Sequence, residues 1–97
     1  MYQIFLTQTA NKSQKKLDNE LRLKIRDSLL LIAKDPENHG EHLCQPLESV
    51  YSHHIKYKGK EFRVGYTIDN ENSEVTVLLI AAHENFYKKL KLIKYNR

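Results

Sequence analysis

Five side chains in the second half of the sequence have the chemical types that phosphodiester cleavage in RNA requires. They are two imidazoles, a guanidinium, an ammonium and a phenol, supplied by His54, His83, Arg63, Lys56 and Tyr87. Such cleavage needs a base for the 2′-hydroxyl proton, cations that stabilise the pentacovalent phosphorane, and an acid for the leaving 5′ oxygen. This set covers all three tasks, and we expect neither a metal nor another cofactor.

Two predicted strands position three of these residues. Alternating side chains predict strands over residues 50–57 and 62–68, joined by a polar turn at Lys58-Gly59-Lys60. Successive side chains of a strand point to opposite faces of a sheet. The core face is expected to hold Tyr51, His53, Ile55, Tyr57, Phe62, Val64, Tyr66 and Ile68. The outward face is expected to hold Ser52, His54, Lys56, Arg63 and Thr67, with open surface at Gly65.

A third strand and the last helix position the other two residues. Residues 75–82 are apolar on both faces, which predicts a central strand, and His83 ends it. A helix over residues 84–95 then places Tyr87 within about one turn of His83. The packing face of this helix is formed by Phe86, Leu90 and Ile93.

The first half of the sequence supplies the remaining elements. The aromatic and β-branched content of Tyr2–Leu6 predicts a strand, and Lys12–Leu17 predicts a short helix. Apolar residues at helical spacing predict a second helix over Asn19–Lys34, with Asp18 as its N-cap. Pro36 stops this helix, and a loop of about a dozen residues is expected to follow.

The resulting order is β-α-α-β-β-β-α, which predicts an α+β fold. Its helices, an N-terminal hairpin and a C-terminal helix, are expected to lie against one face of a small, mainly antiparallel sheet. We expect a single domain over residues 1–97, because the chain has neither internal repeats nor a linker-like stretch.

The charge asymmetry suits either an anionic partner or a solubilising charge with no partner, and the composition indicates a reducing compartment. The chain has 16 basic and 12 acidic residues, and the whole excess lies in the second half, which carries nine basic and five acidic residues from position 50 onward. The longest apolar run, Val77–Ala82, is far shorter than a membrane span. With a single cysteine, Cys44, and no export signal, the chain is expected to be cytoplasmic.

Several of these residues also have simpler interpretations. Arg63 can be a cross-strand charge partner of Glu61 or Asp69, and His53 an ordinary hydrogen-bonded core histidine. The basic residues of the last helix can form a solvated face, although they also suit contact with RNA. A further pattern joins His39, His42 and Cys44; it offers three ligands where structural zinc needs four, so no metal site is predicted.

The sequence resembles the RelE/ParE superfamily of toxin–antitoxin toxins over almost its whole length. The resemblance is carried by an ordered set of short motifs: Leu47–Ile55, then Phe62-Arg63-Val64-Gly65-Tyr66, then Val77–His83, then Phe86-Tyr87. Members that resemble RelE are ribosome-dependent endoribonucleases, which cut messenger RNA without metal and leave a 2′,3′-cyclic phosphate and a 5′-hydroxyl.

The resemblance assigns a role to each of the five residues. Arg63 matches the arginine that stabilises the transition-state phosphate, and Lys56 matches a lysine near the scissile phosphate. Tyr87 matches the aromatic that stacks on a base or assists proton transfer. His54 and His83 are similar to the acid–base histidines of the YafQ-type branch, although which is base and which is acid stays open.

The resemblance also implies binding partners, and it leaves two functions other than RNA cleavage open. A cognate antitoxin, the ribosome and messenger RNA are the implied partners, with RNA contacts assigned to Lys58, Lys60, Lys88, Lys89 and Lys91. One departure from RelE is the residue pair Glu84-Asn85 where RelE has a second arginine after the last strand; it favours a histidine-assisted reaction. ParE-like inhibition of DNA gyrase without ribonuclease activity is the main alternative, and RNA binding without catalysis is a third.

Overall fold

A computed structural model describes residues 1–43 and 49–95 of the chain. The elements are β1 (Gln3–Leu6), α1 (Gln8–Lys15), α2 (Asn19–Lys34), β2 (Glu41–His42), β3 (Tyr51–Tyr57), β4 (Lys60–Asp69), β5 (Glu74–Ala82) and α3 (His83–Tyr95). All seven predicted elements are present and the predicted α+β class is confirmed. The short strand β2 is additional, and it lies within the segment predicted as a loop.

A threonine cap makes α1 longer than predicted. The Oγ1 atom of Thr7 accepts the N–H of Ala10 at 3.1 Å, which satisfies one of the unpaired donors of the first helical turn. The helix therefore begins at Gln8, four residues before the predicted start at Lys12.

A carboxylate cap starts α2 where the sequence predicts it. The Oδ1 atom of Asp18 accepts the N–H of Leu21 at 3.1 Å. The same bond favours the ionised carboxylate, so it lowers the pKa of Asp18. The predicted range Asn19–Lys34 is confirmed at both ends.

The five strands form one sheet in the order β1-β5-β4-β3-β2. Strand β1 pairs with β5 in parallel, and every other neighbouring pair is antiparallel. Strand β5 therefore has a neighbour on each side, as its apolar sequence predicts, and β4 lies at the centre of the sheet.

A tight turn sets the register of the hairpin that carries the candidate site. The turn has two residues, Lys58 and Gly59, both with positive φ (49° and 78°), a geometry that matches the twist of the flanking strands. Lys60 belongs to β4 and not to the turn, which is shorter than predicted. In this register the cross-strand pairs near the site are His54 with Arg63 and Lys56 with Glu61.

Helices cover both faces of the sheet, so the prediction that they lie against one face is wrong. On one face, the strands pack in a core that includes Leu21, Ile25 and Ile32 of α2. On the other face, a second core joins Leu79 and Ala81 of β5 to α3. The physical reason lies in β5, whose side chains are apolar on both faces and require two partners.

Gly65 lies directly under α3, so the open surface predicted at this position does not exist. A Cβ atom added at Gly65 would lie 2.8 Å from Cζ of Phe86, whose side chain is fully buried. The glycine lets the first turn of α3 approach the sheet closely. This contact fixes where the helix begins relative to β4.

Within the described parts of the chain, no helix combines the length and apolarity needed to cross a membrane.

Candidate active site

Arg63 lies at the centre of the candidate site, on the face of β4 that α3 covers. The strand parity predicted this face correctly, but the residue is buried, with 6 % of its surface exposed, and not on an open surface as predicted. Its burial follows from α3, whose first turn lies above this end of the sheet. The Cζ atom of Arg63 is 5.3 Å from the centroid of the Tyr87 ring.

The guanidinium of Arg63 donates hydrogen bonds in three directions. The Nε–H donates to Nδ1 of His83 at 2.7 Å. The Nη1 group donates to Nε2 of His54 at 2.6 Å and to Oγ of Ser52 at 3.2 Å. The Nη2 atom faces Oε1 of Glu61 across 3.8 Å, which is longer than a hydrogen bond. The guanidinium therefore brings both candidate imidazoles to one place.

His54 is held between the arginine and a carboxylate. Its Nδ1 lies 2.6 Å from Oε1 of Glu61, and its Nε2 also faces Oε2 of Glu41 at 3.4 Å. The ring stays partly accessible, with 35 % of the side chain exposed. It can therefore meet an incoming ligand at the edge of the sheet.

His83 and Tyr87 form the opposite wall of the site. The sequence predicts His83 as the last residue of the strand, but in the structure it is the first residue of α3. Its ring and the Tyr87 ring meet edge to face, with centroids 6.1 Å apart, and its side chain is 49 % exposed. A depression of about 250 Å³ lies beside the ring, lined by Lys60, Glu61, Ala82, His83 and Glu84.

Glu61 is the principal site residue that the sequence analysis did not assign. Desolvation alone would raise the pKa of Glu61, but the hydrogen bond from His54 and the positive charge of Arg63 outweigh it, so the pKa is lowered. The carboxylate is therefore ionised at neutral pH. Strand alternation could have identified Glu61, since Glu61 lies two residues before Arg63 and therefore on the same face of the sheet. Ser52 lies two residues before His54 and shares that face for the same reason.

The lysines are distributed unevenly around the site. Lys56 is exposed on the site face of β3, opposite Glu61, and Lys60 lines the depression. Lys58 instead points to the Tyr57 ring, 5.2 Å from its centroid, and hydrogen bonding to that phenol raises the pKa of Lys58. On α3 the exposed predicted RNA contacts are Lys88, Lys89 and Lys91.

Two other sequence patterns lie apart from this cluster. The ring of His53 is half-buried on the opposite face of β3, and its Nδ1 donates to the carbonyl of His39 at 2.5 Å, which agrees with an ordinary hydrogen-bonded histidine. The zinc pattern includes Cys44, which lies outside the described residues, as do the first two residues of the motif that begins at Leu47.

The fold and the site together define a class: a small α+β domain whose hairpin and last helix surround a buried arginine with imidazoles, a carboxylate and a phenol. A family model described as "ParE-like toxin of type II bacterial toxin-antitoxin system" matches residues 4–91. A protein of Methanocaldococcus jannaschii named as a candidate toxin RelE4 is 30% identical over 96 residues, which cover 97% of this chain and 99% of that protein.

Solved structures have the same fold. One chain of the RelBE2 toxin–antitoxin complex of Mycobacterium tuberculosis superposes with a TM-score of 0.73 at 23% identity, over 84% of this chain and 98% of that chain. The isolated RelE toxin of E. coli superposes with a TM-score of 0.69 at 20% identity, over 96% and 99%. The chain therefore belongs to the ParE-like toxins of type II toxin–antitoxin systems, within the RelE/ParE superfamily.

Proposed function

We propose that this toxin is a ribosome-dependent endoribonuclease that cleaves messenger RNA without a metal ion. One imidazole of the His54–His83 pair takes the proton of the 2′-hydroxyl, and the 2′ oxygen forms a bond to phosphorus. The bond from phosphorus to the 5′ oxygen breaks, and the other imidazole, in its protonated form, gives that oxygen a proton. The products are a 2′,3′-cyclic phosphate and a 5′-hydroxyl.

The observation that carries this proposal is the buried guanidinium of Arg63, hydrogen-bonded to both imidazoles. A cation with little contact to water exerts a strong field, so it stabilises the charge that develops on a phosphorane. The ring of Tyr87 borders the same space and offers a stacking surface for a base. Binding to DNA gyrase would require none of these contacts.

Basic residues around the cluster supply the RNA-binding surface in this proposal. Lys56 stabilises the scissile phosphate beside Arg63, and flanking phosphates are bound by Lys60, Lys88, Lys89 and Lys91. Lys58, which was also expected to bind RNA, points to the Tyr57 ring and is left out of this surface. Binding through several lysines releases counterions, so affinity for RNA should fall steeply as salt rises. The reaction takes place in the cytoplasm, where ribosomes present the messenger RNA.

We also propose that an antitoxin protein holds the toxin inactive. Relatives of this fold occur in complexes named for a toxin and its antitoxin, including the RelBE2 complex of Mycobacterium tuberculosis and the RelE–RelB complex of Pyrococcus horikoshii. The basic excess of the second half of the chain suits an acidic partner segment.

The test is induced expression in a bacterial host, followed by mapping of messenger RNA ends. We expect growth arrest and new 5′-hydroxyl ends within translated frames. Arg63→Met removes the charge but keeps an apolar side chain of similar length, and His83→Ala removes one imidazole. Each should lower cleavage by about 100-fold or more, since each removes phosphate stabilisation or proton transfer.

His42→Ala is the matched control, because His42 is an exposed histidine on β2, where it stacks on Tyr51 away from the cluster. This variant should cleave as the parent does, and thermal unfolding should show that all variants fold. Arrest with intact messenger RNA and inhibited DNA supercoiling would identify a gyrase inhibitor instead. Unchanged cleavage in both site variants would exclude the proposed site.

A further inference from the structure

We propose that Glu61 is a positioning residue that holds His54 in its Nδ1–H tautomer and so makes His54 the base of the cleavage reaction. The proposal rests on the ribonuclease activity proposed for this toxin. It assigns a role to a carboxylate that neither the sequence motifs nor the chemistry of RNA cleavage requires.

The two ring nitrogens of His54 have partners of opposite kinds. The guanidinium of Arg63 has only N–H donors, so Nε2, at 2.6 Å from Nη1, must accept and carries no hydrogen. The carboxylate of Glu61 has only acceptors, so Nδ1, at 2.6 Å from Oε1, must donate. Both contacts select the same tautomer.

Only the contact with Glu61 can persist when substrate binds. A phosphate that takes hydrogen bonds from Nη1 of Arg63 releases Nε2 of His54. The carboxylate of Glu61 then keeps the hydrogen on Nδ1, and the free lone pair of Nε2 is available to accept the 2′-hydroxyl proton. The tautomer that Glu61 selects is thus the one that a base at this position needs.

The surroundings of the two imidazoles separate their roles. His54 faces a carboxylate at each nitrogen, Glu61 at 2.6 Å and Glu41 at 3.4 Å, and its Nε2 also contacts the guanidinium of Arg63 at 2.6 Å. His83 lies at a similar distance from the guanidinium, 2.7 Å, but its nearest carboxylate, Glu61, is 3.9 Å away. The closer carboxylates make His54 the candidate that takes the 2′-hydroxyl proton, which leaves His83 to protonate the 5′ oxygen.

Nitrogen NMR of the histidine rings tests the proposal without any activity measurement. The background is Arg63→Met, in which no guanidinium hydrogen-bonds to Nε2 of His54, as we propose for the phosphate-bound state. At a pH high enough to keep the ring neutral, we expect His54 to stay in the Nδ1–H form in this single variant. In Arg63→Met/Glu61→Ala, no carboxylate holds Nδ1, and the ring should shift to the Nε2–H form or to a mixture.

The same tautomer in both variants would overturn the proposal, and so would an Nε2–H ring in Arg63→Met alone. The backbone amide spectrum shows whether each variant is folded. If Arg63→Met does not fold, Glu61→Gln in the otherwise unchanged chain gives a second test. Glutamine can still accept from Nδ1 but carries no charge.

For Glu61→Gln we expect kcat to fall by about tenfold with little change in KM, and for Glu61→Ala a loss of about 100-fold. Glu71→Gln is the matched control, because Glu71 is an exposed carboxylate in the turn between β4 and β5, at the opposite end of these strands from the cluster; it should cleave as the parent does. Full activity in Glu61→Ala would overturn the positioning role while leaving the ribonuclease function intact. If no variant of the toxin cleaves RNA, the ring spectra still decide whether Glu61 holds His54.

Discussion

At the scale of single residues, Arg63 shows a conflict between stability and chemistry. Its buried guanidinium hydrogen-bonds to Ser52, His54 and His83, while its nearest carboxylate, on Glu61, lies at 3.8 Å. Burying a cation whose counterion lies beyond hydrogen-bond distance costs free energy that hydrogen bonds offset only in part. The same low-dielectric setting strengthens the attraction for an arriving phosphate. The arrangement thus suits a site for an anion better than it suits a structural ion pair.

His53 should make the stability of the folded chain depend on pH. Desolvation lowers the pKa of His53 below the ordinary value of 6.5, although its bond to the carbonyl of His39 acts in the opposite direction. The unfolded chain therefore binds a proton on this ring at higher pH than the folded chain does. As pH falls through 6.5 toward the folded-state pKa, the free energy of unfolding should decrease.

Urea denaturation at a series of pH values between 8 and 5 measures this effect. His53→Gln removes the titrating group and should flatten the profile, whereas His42→Gln, at an exposed position on β2, should leave its slope unchanged. A profile that is equally steep in His53→Gln would show that other groups cause the dependence.

At the scale of elements, one threonine joins a strand, a helix and a bulge. Strand β5 has a bulge at Leu78, which has no partner on β4, since Gly65 pairs with Leu79 and Tyr66 pairs with Val77. The bulge directs both Leu78 and Leu79 into the core under α3. Thr7, at the end of β1, donates its hydroxyl to the carbonyl of Leu78 at 3.1 Å and also caps α1.

Replacing Thr7 should therefore cost more than loss of an isolated cap. Thr7→Ala removes the acceptor for the Ala10 N–H and the donor for the Leu78 carbonyl, and we expect a loss of about 1–2 kcal/mol in the free energy of unfolding. Thr7→Ser keeps the hydroxyl and should lose less than half of that. Chemical denaturation of the three proteins gives the comparison, and equal losses in both variants would contradict the two-bond explanation.

At the scale of the whole molecule, the site is built where a hairpin and a helix meet over the second core. Strands β3 and β4 supply His54 and Arg63, and α3 supplies His83 and Tyr87. The relative position of these parts depends on how closely α3 approaches the sheet. Gly65 under Phe86 sets that distance.

Gly65→Ala should disturb the site from a distance. The added methyl group would meet the buried ring of Phe86 at 2.8 Å, so α3 must shift or the ring must leave its position. Overpacking of this kind destabilises a domain by about 1–3 kcal/mol. We also expect cleavage to fall at least tenfold in the folded protein, because a misplacement of about 1 Å in a reacting group can cost 100-fold in rate.

Phe86→Leu in the same chain is the compensating change. Leucine is smaller than phenylalanine, so Gly65→Ala/Phe86→Leu should be more stable than Gly65→Ala alone and should regain part of the cleavage. Thermal unfolding and the RNA assay measure the two properties separately. Additive losses in the double variant would show that the two positions do not interact.

Local patterns were sufficient to predict much of this molecule. The Asp18 cap and the apolar spacing after it determined α2, and strand alternation placed His54 and Arg63 on one face. The short motifs indicated the toxin superfamily, to which the family match over residues 4–91 assigns the chain. Each of these features depends on neighbours in sequence, through hydrogen bonds to the next turn or through the two-residue period of a strand.

Features that depend on distant contacts were decided only by the tertiary structure. The placement of α3 on the second face buried Arg63 and covered Gly65, which strand parity had left open. His54, His83 and Glu61 meet around one guanidinium only because β3 pairs with β4 in this register and the first turn of α3 lies above the same end of the sheet. Parity states which face a side chain occupies, whereas packing of separate elements determines what covers that face and which groups meet there.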